Sequence, residues 1–341
     1  MIIINQNKKY TEFRYQLEAD YEKDIEENTT NLFGSRTIYI PYKRKINTRN
    51  LGASIPDGFL IDFSDVNNPE FYIVEIELGS HDFYRHIFPQ ITKFFAFFRN
   101  QNSRIELIRK IYEIIQNDAL IRNRINGYIQ NSEIFKFIND LIHDSQNILI
   151  VIDEIKSEFA EIQDTYNDTW GRYVKIINIK LFSSNQEHLF LVTPEWEDIS
   201  YIDLYNEQNE SDDDVEENSV IDENYHLSEL NQNVKDIYNK IRNSIKSYKE
   251  EIIFNPQRYY ISIKLNKNIA FLKFSKKKMK AIIMLPVAQI QAKITNHEIK
   301  ILTPSVQKFY NGECASVEIK EDENLDEVIE LLKGIIDRDQ T

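Results

Sequence analysis

Cysteine is all but missing from this chain. One residue, Cys314, leaves no internal disulfide and no thiolate zinc cluster to build. Glycine is scarce, eight in 341 residues. There is no G-x-x-x-x-G-K-[ST] loop, which excludes a P-loop nucleotide site, and no glycine-rich cradle for phosphates. G-x-S-x-G is missing too, which argues against an α/β-hydrolase. The six histidines form no H-x-x-x-H pair, so a helical zinc-protease site is not expected. No apolar run approaches the ~20 residues of a membrane span. The opening MIIINQNKKY has a four-residue apolar run with its lysines on the wrong side for a secretory leader. The expectation is a chain of a reducing, cytoplasmic compartment with no membrane partner.

What is abundant is acid. The formal net charge is −14, from 41 Lys+Arg against 55 Asp+Glu. Taken whole, that opposes polyanion binding. The distribution is uneven. Residues 206–232 hold ten acids and no Lys or Arg, the residues before them 22 bases and 31 acids, and residues 233–341 19 bases and 14 acids. The acidic stretch has no hydrophobic periodicity and reads as a self-repelling linker. A chain this long exceeds one ordinary core. The expected organisation is therefore a first domain at 1–205, a flexible acidic linker at 206–232 and a smaller domain at 233–341.

Periodicity supplies the elements. Leu17, Tyr21 and Ile25 recur every four residues, which predicts a helix over 8–30. Strands are predicted at 36–42, 58–63, 71–78, 173–182 and in HLFLVTP, with NILIVID (147–153) a central strand covered on both faces. An aromatic-rich buried helix is predicted at 83–100, with further helices at 103–116, 132–143 and in KSEFAEIQDTYNDTW. The alternation makes the first domain α/β. A helix at 233–253, strands near 258–265, 269–274 and 280–285, and a helix at 325–336 make the second α+β with an antiparallel sheet.

The chemistry is carried by IPDGFLIDFSDVNNPEFYIVEIEL (55–78). A turn supplies Asp57, and the second of two strands presents Glu75 and Glu77 on one face with Phe71 and Ile73. Two carboxylates on an otherwise apolar strand are costly to bury alone. Their repulsion invites a divalent cation, and hard oxygen ligands favour Mg²⁺ or Mn²⁺.

Pro56-Asp57, seventeen intervening residues, then Glu75-Ile76-Glu77 resembles the PD-(D/E)XK nuclease superfamily. Glu77 stands where that family usually has lysine, a departure that some of its restriction endonucleases share. The stretch LEADYEKDIEENTTNLFG resembles the opening helix of one bacterial branch, with Glu18 as the helix acid and Tyr21, Glu26, Asn28 and Gly34 matching the rest; Glu22, one turn later, is its rival. Gln90 followed by Phe94 resembles the branch's Q-x-x-x-Y element, and Lys93 is a candidate for the missing ammonium. The region from 233 resembles a small uncharacterised domain that accompanies such nucleases in bacterial proteins.

The resemblance implies a restriction-endonuclease-like mixed sheet flanked by helices, and a metal-dependent endonuclease acting on nucleic acid, DNA first, in defence against foreign DNA and as a homodimer. It implies Mg²⁺ or Mn²⁺ on Asp57 and Glu75, with Glu18, Glu77 and Gln90 completing the catalytic set. The alternatives are a catalytically degenerate nuclease fold that binds nucleic acid or protein without cutting, and a pure protein-interaction adaptor. Four flanking features stay open in role: His81 and His86 beside the acids; Asp153-Glu154, read as a cap for the following helix; the basic loop 41–49; and the basic-aromatic run 264–280, read as a strand surface for a sugar-phosphate backbone.

Overall fold

A computed structural model describes residues 1–42, 46–48, 52–129, 133–166, 170, 173–185, 187–199, 201, 221–228, 230–257, 260–321 and 323–338. The chain divides into two compact units, Met1–Leu204 and Tyr205–Thr341.

The first unit opens with a hairpin. Gln6 and Asn7 both take positive φ (48° and 63°), the geometry of a two-residue turn whose twist matches its strands. They join β1 (Ile2–Asn5) to β2 (Lys8–Phe13). The helix predicted from residue 8 therefore begins ten residues late, as α1 (Glu18–Phe33). Polar Lys8, Lys9 and Thr11 hide the alternation that buries Tyr10 alone on this strand. The predicted periodicity holds from Tyr21, which is fully buried with Ile25.

Then follow β3 (Thr37–Pro41), β4 (Ile46–Thr48), β5 (Gly52–Ser54), β6 (Gly58–Asp62) and β7 (Glu70–Glu77). A π-helical turn at Phe83–Ile87 leads into α2 (Phe88–Arg99). Next come α3 (Gln101–Asn117), α4 (Ala119–Tyr128), α5 (Ile134–Asp144), β8 (Asn147–Ile152), α6 (Glu158–Thr165), β9 (Val174–Ser184) and β10 (Glu187–Thr193). The main sheet runs β1-β2-β9-β8-β7-β6-β3, with β10 also paired to β9. Among the described strands only β7–β8 and β8–β9 are parallel, so this is a mixed sheet flanked by helices. β8 lies between two parallel neighbours, as its continuous apolar run predicts.

β7 explains where the site falls. Tyr72, Val74, Ile76 and Leu78 pack into one core with Tyr21, Ile25 and Phe33 of α1. On the other face Phe71 lies against Phe59 and Phe98. β6 pairs with residues 70–74 only, whereas β8 pairs through Glu77. The last three residues of β7 thus run past the end of β6 and leave a gap in the sheet on that side.

The second unit is a six-stranded antiparallel sheet ordered β11-β12-β13-β14-β16-β15. Its elements are α7 (Glu223–Leu227), α8 (Gln232–Tyr248), β11 (Ile253–Gln257), β12 (Tyr260–Lys264), β13 (Asn268–Ser275), β14 (Lys278–Ile283), α9 (Val287–Gln291), β15 (Glu298–Ile301), α10 (Pro304–Phe309), β16 (Ala315–Ile319) and α11 (Leu325–Arg338). Val234, Ile237, Tyr238, Ile241 and Ile245 make one apolar stripe of α8 and share a core with Val328 and Leu332 of α11. The sheet is larger than the three predicted strands, and α8 ends at Tyr248, so residues 249–253 are not helix.

The acidic stretch falls mostly outside the described residues, but its end is not a tether. Glu223 of α7 accepts from Tyr238 Oη at 2.6 Å and pairs with Arg242, and His226 Nε2 lies 2.7 Å from the Gln257 carbonyl oxygen. α7 is thereby docked on the second unit.

Candidate metal and acid site

Four acids singled out from the sequence come together at the gap beside β7. Asp57 sits in the turn before β6, and its Oδ2 accepts the Ile76 amide N–H at 2.7 Å. That donor faces the space where β6 has ended, so the side chain supplies the acceptor that a longer strand would have supplied. Glu75 and Glu77 are 2% and 0% exposed. Oε2 of Glu75 and Oε1 of Glu77 have no hydrogen-bond partner. Glu18, the first residue of α1, reaches the same place, its Oε2 3.2 Å from Nδ1 of His81.

Electrostatics follows from this crowding. Burial, with the charges of Glu22, Glu18 and Glu77 adding, pushes the Asp57 carboxyl up to about 8. Burial, with Glu18 and Glu22 adding, pushes Glu77 to about 8. Glu75 is driven well above the carboxylate range by burial first and by Asp57 second. Glu18 is raised as well, chiefly by desolvation. Glu22 acts on all three strand-side acids, so Glu18 and Glu22 both belong to the neighbourhood.

Two histidines complete the cluster. Nδ1 of His81 is 2.8 Å from Oε2 of Glu77, and Nε2 of His86 is 3.2 Å from its Oε1. The two rings meet edge to face at 4.9 Å. Among the described residues, Glu18, Glu77, His81 and His86 present ligand atoms all within 4.8 Å of one another and could hold a metal ion. Unpartnered buried carboxylate oxygens and converging imidazoles fit a divalent cation. Burial, then the neighbouring His81, lowers the pKa of His86.

The backbone around the cluster is tightly fixed. Oδ1 of Asp153 accepts from the Gly79 N–H at 2.6 Å. The expected helix cap is therefore a clamp on the turn carrying His81. α6 starts at Glu158, too far along for Asp153 to cap, and its N-cap Ser157 makes no side-chain cap bond.

The other expected positions are less central. Oε1 of Gln90 is buried without a partner, but no hydrogen bond joins Gln90 to the acids among the described residues. Lys93 makes no ion pair with Glu75 or Glu77 there. Tyr21 donates to the Ile179 carbonyl and so ties α1 to β9, while Asn28 donates to the Asp24 carbonyl within α1 itself.

Tyr39 was not foreseen. Its hydroxyl is buried without a hydrogen-bond partner and lies in the field of Asp57, Glu26, Glu22 and Glu75. The strand pattern of RTIYIPY gives no sign of this. The signal lay in pairing it with the chain around Asp57, since Tyr39 packs on Gly58.

The basic-aromatic run does not form an open stacking surface. Phe271 is buried against Tyr260 and Tyr310, and Phe274 packs on Tyr238. Lys278 is itself buried and bonded to Glu318 at 2.8 Å. The basic loop 41–49 lies largely outside the described residues. No helix among the described residues is long and apolar enough to cross a membrane. No family model, no curated protein and no solved structure matches this chain.

Proposed function

We propose that this chain is a metal-dependent phosphodiesterase that hydrolyses nucleic acid, DNA in the first instance, in the manner of the PD-(D/E)XK nucleases. One observation carries the reading. Glu18, Asp57, Glu75 and Glu77, from three separate segments, share one electrostatic neighbourhood in which Glu75 and Glu77 are buried and each keeps one carboxylate oxygen without a hydrogen-bond partner. Acids do not gather unpaired at a sheet gap for stability. Mg²⁺ or Mn²⁺ held by these residues would supply an acidified water and would offset the negative charge of a phosphate under attack.

The chain's own residues do the rest. Asp57 and Glu75 would be ligands, with Asp57 aimed by the Ile76 amide. Glu77, in the place of the usual lysine, would orient water beside the ion. Its imidazole neighbours are the groups able to relay a proton. The Tyr39 hydroxyl is a free donor for a phosphate oxygen or a water.

The test is cleavage of supercoiled plasmid in Mg²⁺ or Mn²⁺ by wild type and Asp57→Ala. Wild type should nick or linearise the plasmid, and the variant should be slower by about 100-fold or more. Equal rates would remove this site from the chemistry. The non-cutting reading keeps one supporting observation: among the described residues no Lys or Arg pairs with Asp57, Glu75 or Glu77. Magnesium-independent DNA binding with no turnover in any ion would favour it.

A further inference from the structure

The acids separate into two groups by contact. Among the described residues no ion pair joins Asp57 or Glu75 to a histidine, whereas Glu77 and Glu18 both face His81. Glu75 and Glu77 lie two residues apart along one strand, so their carboxylates are offset by about 6–7 Å at the backbone. The histidines join only the second group. Nε2 of His86 sits 3.2 Å from Oε1 of Glu77, yet that oxygen has no hydrogen-bond partner. Nδ1 of His81 faces two carboxylates at once, at 2.8 Å from Glu77 and 3.2 Å from Glu18. Two imidazoles and two carboxylates whose ligand atoms converge within 4.8 Å, with one buried Glu77 oxygen left without a hydrogen-bond partner, are arranged as ligands of a common centre.

We infer that Glu18, Glu77, His81 and His86 form a nitrogen-containing metal position of their own, beside the all-oxygen position of Asp57 and Glu75, and that it takes a borderline transition ion of the Mn²⁺, Fe²⁺ or Zn²⁺ class in preference to Mg²⁺. Two imidazoles with two carboxylates match the ligand preference of those ions, while Mg²⁺ favours oxygen and water. Glu77 is 0% exposed, so its unpartnered oxygen meets the ion without competition from bulk water. The inference deepens the hydrolase reading and rests on it for what the ion is for. On this view the glutamate in the lysine's place is a ligand first. Phe83 and Ile87, buried in the π-helical turn, anchor the segment that brings His86 back over β7.

The experiment is Mn²⁺ titration of the full chain, followed by electron spin-echo modulation spectroscopy, with plasmid cleavage measured in parallel. Wild type should bind about two Mn²⁺ and show ¹⁴N coupling from ligated imidazole. The double variant H81Q/H86Q should lose the ¹⁴N coupling and one Mn²⁺ while keeping the other. D57N should keep the ¹⁴N coupling. The wild-type spectrum decides even where a variant fails to fold. Bound Mn²⁺ with no ¹⁴N coupling, or tighter retention of Mg²⁺ than of Mn²⁺ at the nitrogen-coupled position, overturns the inference. Cleavage without ¹⁴N coupling would do so and leave the hydrolase reading standing. Coupling without cleavage would uphold the metal position and remove the hydrolase.

Discussion

At the scale of single residues, the acids at the gap beside β7 cost stability that a cation can return. Asp57 and Glu77 bind protons up to about pH 8 in the fold but only up to about pH 4 in an unfolded chain. Between those limits the folded state holds more protons than the unfolded one, so stability falls as pH rises. The metal-free protein should therefore melt several degrees lower at pH 8 than at pH 5, measured by circular dichroism in EDTA. Saturating Mn²⁺ should restore the melting temperature, because an ion that binds only the folded state stabilises it by mass action. Asp57→Asn keeps an acceptor for the Ile76 amide and removes the charge. It should raise the metal-free melting temperature at pH 8 by about 3–6 °C. A flat pH profile in wild type would mean the carboxyls are not crowded as described. Tyr39→Phe deletes a buried hydroxyl that has no partner. Its melting temperature should hold or rise while plasmid cleavage slows about tenfold, which separates a functional hydroxyl from a structural one.

At the scale of elements, two glycines mark where chain segments approach too closely for a side chain. A Cβ on Gly79 would stand 2.6 Å from Cβ and 2.8 Å from the backbone oxygen of Glu154. A Cβ on Gly58 would strike the tip of the Tyr39 ring. A ring tip can swing aside, but a backbone oxygen in a clamped turn cannot. Gly79→Ala should thus cost more than Gly58→Ala, about 2–4 against 1–2 kcal/mol by urea denaturation, and the reverse order would refute the clamp from Asp153. Most elements of the first unit are legible from periodicity. β6, β7 and β8 fall within a residue or two of their predicted bounds because large apolar side chains crowd both faces. The opening hairpin is not legible, because one buried Tyr10 among lysines gives no alternation and the Gln6-Asn7 turn lacks glycine. β15 and β16 are missed because they are short, and buried Ser316 interrupts the apolar pattern of β16. Asp57, Glu75 and Glu77 are readable as a spacing. His81 and His86 are readable as neighbours of the acids, but their convergence on Glu77 is not, since it depends on a π-helical turn returning His86 to the strand end.

At the scale of the whole molecule, each unit carries the means to fold by itself. The first has its own two-faced sheet, and the second closes its core between α8, α11 and six strands without residues from the first. Charge divides with them, with 31 acids against 22 bases before residue 206 and 14 against 19 from residue 233. All members of the acid and histidine cluster lie before residue 87, so the candidate metal position lies within the first unit. A fragment of residues 1–204 should bind Mn²⁺ as the full chain does. A fragment of 221–341, which keeps α7 with its Glu223 links to Tyr238 and Arg242, should unfold cooperatively in urea. Shortening it to begin at residue 231 removes those links and the His226 contact to Gln257, and should lower its midpoint by an amount corresponding to about 1–3 kcal/mol. An unchanged midpoint would mean α7 is no part of the second unit. Loss of Mn²⁺ binding from a folded 1–204 fragment would mean that the second unit completes the site.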